Sequence, residues 1–381
     1  VKLPPNTNGV WSGAAPIMKY VMPHQPGNTN SSWRRQFYLS MAHGMKFLNY
    51  YSLQPMSRAA SCDYTSIYPT AANFLAVRQA MAELGRMEDI IAHGTTSPHG
   101  TPVALLYSES EDIYTSLSSA IKPVGLAGTI GAAKRALYVA LRHLEWPVDV
   151  VTEDDLEAFG RSGGTGGEPV VARLNTQYKA IFAVDRHVRA NASAGIALWV
   201  AQGGSYWGSA GAGLLNEFND ENSIMMELLG LQHHAIVAED LVQYIKQDLP
   251  WLAKRGDVMP AGDGAAGPIS VLGLRARVTL RSGAGATATA HFADDTSPAT
   301  IERTVGRGRV VYSAFLPSLS YFAPAIPPRV CDRGNTDEAF AHFVPRQFCP
   351  DALSLIARGV PRGLQPPTTT SEPRVESAVI T

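Results

Sequence analysis

The sequence predicts an α/β protein centred on a doubly wound parallel sheet, and three observations carry that prediction. Apolar runs of strand length alternate with segments of helical period between residues 101 and 209. The runs VALLY (103–107) and KAIFAV (179–184) are continuously apolar, as strands are when helices cover both faces of a parallel sheet. After residue 271 the alternation stops, and short strands separated by turn residues read as antiparallel pairing.

Each element follows in order. Residues 16–22 (PIMKYVM) form an apolar run of strand length, followed by the turn-forming stretch Pro23-His24-Gln25-Pro26-Gly27-Asn28. The spacing of Trp33, Phe37 and Met41 predicts a helix over 32–43 that stops at Gly44. A strand over 45–51 and a helix over 70–84, with Phe74, Val77, Met81 and Leu84 on one face, complete a second βα unit. The clearest helix spans 130–144, where Ala133, Ala136, Leu137, Ala140, Leu141 and Leu144 keep helical period. A strand at 148–151, an acidic helix at 153–159 and a Gly-rich insert at 160–168 lead to the strand at 179–184. The next helix carries Ala192, Ile196, Trp199 and Val200 on one face and ends at Gly203-Gly204, before a strand at 204–209. This order predicts a flavodoxin-like sheet with helices on both faces. The segments LRARVTL (274–280), ATATAHF (286–292) and 310–315 read as antiparallel strands extending one edge, with 255–268 a Gly-rich loop. From 323 onward proline accumulates, so 326–381 reads as a linker ending in the first strand of a further unit.

Composition narrows the function. The chain has 381 residues, 45% of them hydrophobic and 17% charged, and a net charge of -1. That balance argues against nucleic acid or an anionic membrane as partner, since either leaves a basic excess. No apolar run reaches the roughly 18 residues of a membrane span. The cysteines Cys62, Cys331 and Cys349 form neither a CxxC pair nor a disulfide framework. A Cys331–Cys349 bridge is open, with free thiols the favoured reading. The 24 Arg against 8 Lys are a compositional bias. The chain begins at Val1, and residues 1–100 hold only four carboxylates, Asp63, Glu83, Glu88 and Asp89.

Parallel sheets bind ligands at the carboxyl ends of their strands. After the first of these strands comes Ser108-Glu109-Ser110-Glu111-Asp112, an acidic loop without GxGxxG glycines, which would repel a phosphate. Such a loop could hold a divalent cation. Asp185, after FAV, stands where a phospho-accepting aspartate would sit in a receiver-like domain, although no Lys follows residue 254 to meet a phosphoryl group. The favoured reading is that Asp185-Arg186-His187 caps the next helix and that no metal or cofactor is bound. A class I amidotransferase-like reading needs a Cys nucleophile on the turn after a strand, and Gly204–Gly211 has none. Ser205 and Ser209 lack the Gly-x-Ser-x-Gly context. This region therefore reads as non-catalytic.

In the first hundred residues, His24, Asn28, Trp33, Tyr50, Tyr51, Tyr64 and Tyr68 lie near expected strand ends and loops. Flat aromatic faces with polar tips suit sugars. Glycosidases generally need two carboxylates, but Glu83, Glu88 and Asp89 fall in or just after a helix. Asp63 is the single loop carboxylate and a weak catalytic candidate.

These stretches resemble a known family. MPHQPGNTNSSW, AHGMKFLNYYSLQP and the helix ending LGRMEDI are similar to the last two βα units of the barrel in glycoside hydrolase family 42-type β-galactosidases. VALLYSES, YKAIFAVDRHV, ALWVAQGGSYWGSAGAGLLNEFN and GRGRVVYSAFLPSLSYF resemble that family's flavodoxin-like trimerisation domain, related to the amidotransferase fold. The match covers about residues 16–323, and SEPRVESAVIT resembles the opening of a small C-terminal β domain. The resemblance implies the end of a (β/α) barrel over 1–98, a trimerisation domain over 99–325, and a linker with the start of a β domain over 326–381. It implies a carbohydrate substrate, with His24, Asn28, Trp33, Tyr51 and Tyr64 lining the sugar pocket, and a homo-oligomer. The family's nucleophile Glu follows a Met at the end of the seventh strand, and here Met22 is followed by Pro23. The expectation is thus a fragment of a β-galactosidase-like hydrolase without its catalytic pair. The alternative is a non-hydrolytic sugar-binding or assembly module, with receiver-like signalling the remotest form.

Overall fold

A computed structural model describes residues 9–13, 37–38, 40–42, 45, 47–51, 71–94, 101–121, 126–237, 254–260, 267–325 and 347–371. The chain divides into two compact units. One comprises Val1–His99, Pro327–Val344 and Thr368–Thr381; the other comprises Gly100–Ile326 and Pro345–Pro367.

In the first unit, β1 (Gly9–Gly13) pairs in parallel with β2 (Phe47–Tyr51). Residues 37, 38 and 40–42 are helical. Helix α1 (Ala71–Gly85) forms where the periodicity places it, and α2 (Glu88–His93) follows a short turn. Met81, expected on the inner face of α1, is exposed, whereas Ala80 is buried. The apolar run 16–22 lies outside the described residues, as does most of the expected 32–43 helix's first half.

The second unit is a mixed α/β body around a nine-stranded sheet. Its elements are β3 (Val103–Tyr107), α3 (Glu109–Ile121), α4 (Leu126–His143), β4 (Val148–Thr152), α5 (Glu153–Arg161), α6 (Pro169–Thr176), β5 (Ala180–Ala183), α7 (Ala190–Ala201) and β6 (Ser205–Ser209). Then come α8 (Ser223–Leu229), β7 (Leu231–Val237), β8 (Lys254–Pro260), β9 (Ile269–Leu272), β10 (Arg275–Leu280), β11 (Thr287–Phe292), β12 (Pro298–Val305), β13 (Gly308–Ser313), α9 (Pro317–Phe322) and α10 (Pro350–Ala357). The strand order is β4-β3-β5-β6-β13-β12-β11-β8-β9. The first five strands are mutually parallel and the rest antiparallel. Strands β7 and β10 form a separate antiparallel ribbon.

The local chemistry explains the starts and stops. Thr152 and Asp155 form a reciprocal capping box that opens α5, each satisfying an amide the helix leaves free. On α4, Ala133, Leu137, Ala140 and Leu141 are fully buried, as the period predicts.

Several segments differ from the sequence reading. Residues 255–260, expected as part of a loop, belong to β8 because they find an antiparallel partner in Phe292 and its neighbours. Helix α6 follows the Gly-rich insert, with Pro169 in its first turn, where a missing N–H costs nothing. Helix α8 begins on the Asn222 side chain and ends on Gly230 at φ 70°. Strand β12 lies between the two antiparallel strands that were expected to be consecutive. The expected linker returns to the core as α10, with Ala352, Leu355 and Ile356 buried. Among the described residues no helix is long and apolar enough to cross a membrane.

Candidate functional site

The crevice where strand order reverses is the usual ligand position in such a sheet. Here β3 is followed by β4 on one side while β5 and β6 lie on the other, so the reversal falls between β3 and β5. Ser108 comes directly after β3, and Asp185 two residues after β5.

These residues close the crevice on themselves. The Ser108 amide donates to Asp185 Oδ2 (2.9 Å), and Ser108 Oγ donates to the His187 carbonyl (2.6 Å). Lys134 on α4 brings its ammonium to 2.7 Å from Asp185 Oδ1 and 5.1 Å from the centre of the Tyr107 ring. Asp185 is fully buried. Burial pushes its carboxyl up to about 6, against the pull of Lys134 and the Ser108 amide.

A second carboxylate organises the neighbouring loop. Glu111 Oε2 accepts the backbone amides of Arg186 and His187 (3.0 Å each) and lies 2.7 Å from His187 Nδ1. The other imidazole nitrogen is 2.8 Å from Asn219 Oδ1, and the Tyr114 ring stacks on the imidazole at 4.1 Å. Burial works against a charge on Glu111, but the His187 hydrogen bond and the Arg186 guanidinium hold its carboxyl below the ordinary range. Glu153 ties down the next turn, accepting the amides of Ser110 (3.0 Å) and Arg189 (2.7 Å).

The acidic stretch is not a loop: helix α3 begins at Glu109, and Glu111 turns inward. Among the described residues no group of three or more His, Cys, Asp or Glu is placed to hold a metal ion. Asp185 has no exposed oxygen for a phosphoryl donor, and its lysine partner comes from α4 rather than from the antiparallel tail.

The turn after β6 is strained, with Ala210 at φ 39° and Gly211 at φ 95°. A nucleophile on such a turn would be presented to solvent, but here the residue is a buried alanine. The nearby amides are engaged: Ala210 N donates to the Ser313 carbonyl (2.7 Å) and Gly211 N to Tyr312 Oη (2.8 Å). Ser205 Oγ donates to the Gly359 carbonyl (2.8 Å), and Ser209 is buried.

The expected sugar-binding residues His24, Asn28, Trp33 and Tyr64, with Asp63, lie outside the described residues. For Tyr51 the structure gives only the backbone, which ends β2 opposite Gly13. Glu83 accepts hydrogen bonds from Tyr38 Oη (3.0 Å) and Gln79 (3.2 Å), while Glu88 and Asp89 open α2. Cys349 is a free thiol at the start of α10. Lys134, Glu153 and Asn219 carried no sequence signal, because each acts on a partner distant along the chain. Asn222 did carry one, as a side-chain cap before an apolar run closed by glycine.

The fold has known counterparts. A β-galactosidase from Bacillus circulans sp. alkalophilus matches with a TM-score of 0.55 at 17% identity, over 76% of this chain and 40% of that one. The GH42 β-galactosidase Gan42B of G. stearothermophilus matches with a TM-score of 0.53 at 16% identity, over 75% of this chain and 38% of that one. A β-galactosidase from Rahnella sp. R3 matches at 0.53 and 17% identity, over 78% of this chain and 41% of that one. The chain thus spans about 40% of the length of the solved structures it resembles. No protein-family model matches the chain, and neither does any curated protein. The chain therefore shares a GH42-like α/β fold with a large, mixed sheet whose first five strands are parallel.

Proposed function

We propose that the chain is part of a β-galactosidase-like glycoside hydrolase and that its second unit is a flavodoxin-like, non-catalytic domain serving oligomerisation beside the sugar site. The observation that carries this reading is the shared fold with several β-galactosidases over three quarters of the chain. The crevice at the strand reversal supports the non-catalytic part, because Asp185, Lys134, Ser108 and Glu111 are directed at one another. In this reading the sugar pocket is lined by His24, Asn28, Trp33, Tyr51 and Tyr64, and Asp63 is the single loop carboxylate of 1–98.

The test is hydrolysis of nitrophenyl β-galactoside by the 381-residue chain, together with calorimetric titration of galactose. The expected result is galactose binding without turnover, since one loop carboxylate cannot serve as both acid and nucleophile. Robust turnover abolished by Asp63→Asn would overturn the missing-pair claim. Light scattering checks assembly, and a strict monomer at high concentration would remove the oligomerisation role.

A second reading, a sugar-binding or assembly module with no hydrolytic parent, is favoured by Pro23 at the expected nucleophile position. The receiver-like version predicts modification of Asp185 by acetyl phosphate with Mg²⁺. Its burial against Lys134 predicts that intact mass stays unchanged.

A further inference from the structure

Strand β13 is where the sheet changes character, pairing in parallel with β6 and antiparallel with β12. One row crosses that seam: Ser209 on β6 is in register with Ser313 on β13, and Ser313 with Thr300 on β12. Residues in register on neighbouring strands point to the same face. All three are fully buried, and none of the three hydroxyl oxygens has a hydrogen-bond partner among the described residues.

The rest of this face treats its polar groups differently. Ser205, Trp207 and Ser209 alternate onto one side of β6. The first two find carbonyls on the returning C-terminal segment: Ser205 Oγ donates to Gly359, and Trp207 Nε1 donates to Leu355 (3.1 Å). Ser209, one pleat further, receives none. The backbone around the row is already engaged, since the Ser313 carbonyl accepts Ala210 N and the Ala299 carbonyl accepts Ala314 N. A buried hydroxyl left without a partner is costly, and three in one row are not an accident of a single rotamer.

We propose that the row formed by Ser209, Ser313 and Thr300 is a buried hydration site in which one or two ordered waters bridge the three hydroxyls across the seam. The spacing suits this ligand. Opposed hydroxyls on neighbouring strands can bond directly, but these three do not, and with strands roughly 4.8 Å apart one water making a hydrogen bond of about 2.8 Å to each can bridge them. Buried waters typically make about three bonds to otherwise unsatisfied polar groups. The waters would tie the parallel half of the sheet to its antiparallel extension, beside the backbone ladder and the Arg309–Glu302 ion pair that already join them.

The test is a crystal structure of the full chain with ordered solvent resolved, alongside denaturation of variants. The expected result is a solvent peak within hydrogen-bond distance of at least two of the three oxygens. Ser313→Ala, removing the central hydroxyl, is expected to lower the folding equilibrium constant about fivefold or more. The triple variant Ser209→Ala, Thr300→Val, Ser313→Ala is expected to lose less than the sum of its parts, because removing every partner leaves nothing to satisfy. A dry row with hydroxyls turned onto backbone carbonyls overturns the proposal, as do strictly additive or stabilising single variants. If a variant fails to fold, the solvent peaks of the unaltered chain still decide the question.

Discussion

At the scale of the residue, Asp185 shows how a buried charge sets a pH dependence. Its folded pKa, about 6, lies above the ordinary 3.8 of an aspartate. The folded chain therefore holds more protons than the unfolded chain between about pH 4 and 6. Stability contributed at this position must fall as pH rises through that window. Asp185→Asn removes the titration, so the stability difference between variant and parent should move in the variant's favour by about 2 kcal/mol from pH 4 to 7. Urea denaturation of both proteins at several pH values checks this, and parallel profiles would show that Asp185 does not titrate in the window. Arg275 presents the opposite case. It is nearly buried over the Phe292 ring, its guanidinium bonded to Asp294, Asp295 and Ser297. Because those aspartates reach solvent, Arg275→Leu strands no buried charge. Its cost is expected near 2 kcal/mol, read as a lower denaturation midpoint.

At the scale of the element, helices α5 and α7 pack through glycine. A Cβ on Gly195 would lie 2.0 Å from the Leu156 carbonyl oxygen, a backbone atom that cannot turn aside. Gly195→Ala must push the helices apart and should cost about 1–3 kcal/mol. The measurement is thermal denaturation, with Gly167→Ala, which meets nothing within 4 Å, as the control. Equal midpoints for the two variants would contradict the close approach. The same logic applies to the returning segment, where a Cβ at Gly359 would lie 2.6 Å from the Phe182 ring. Helices such as α4 and α7 were legible in advance because their apolar faces repeat at helical spacing. Helix α6 and strand β8 were not, because their short segments depend on neighbours brought from elsewhere.

At the scale of the whole molecule, the second unit is discontinuous. It needs Pro345–Pro367, which return after the chain has left for the first unit. A chain ending at Ile326 would leave the Trp207 indole and the Ser205 hydroxyl without acceptors and would uncover the surface that Leu355 and Ile356 bury. Losing several buried aliphatic side chains at roughly 2 kcal/mol each should lower the melting temperature markedly and shift tryptophan emission to the red. An unchanged melt would show that the segment is dispensable. Seen this way, a boundary at 325 was a reasonable reading of proline density, yet residues 345–367 belong with the sheet.

The sequence by itself determined where most strands and helices of the second unit begin and end, that its early strands are buried on both faces, and that its later ones pair antiparallel. Those properties follow from the spacing of apolar residues and from capping groups within a few positions. Only the tertiary structure decided what the polar residues do. Ser108 and Asp185 are 77 positions apart and Glu111 and His187 are 76 apart, and nothing local announces either pairing. Acidic residues that look like an open site in one dimension become internal acceptors in three. Once the sheet brings their strands together, a buried carboxylate must find donors, and the nearest ones are amides and cations of the same fold.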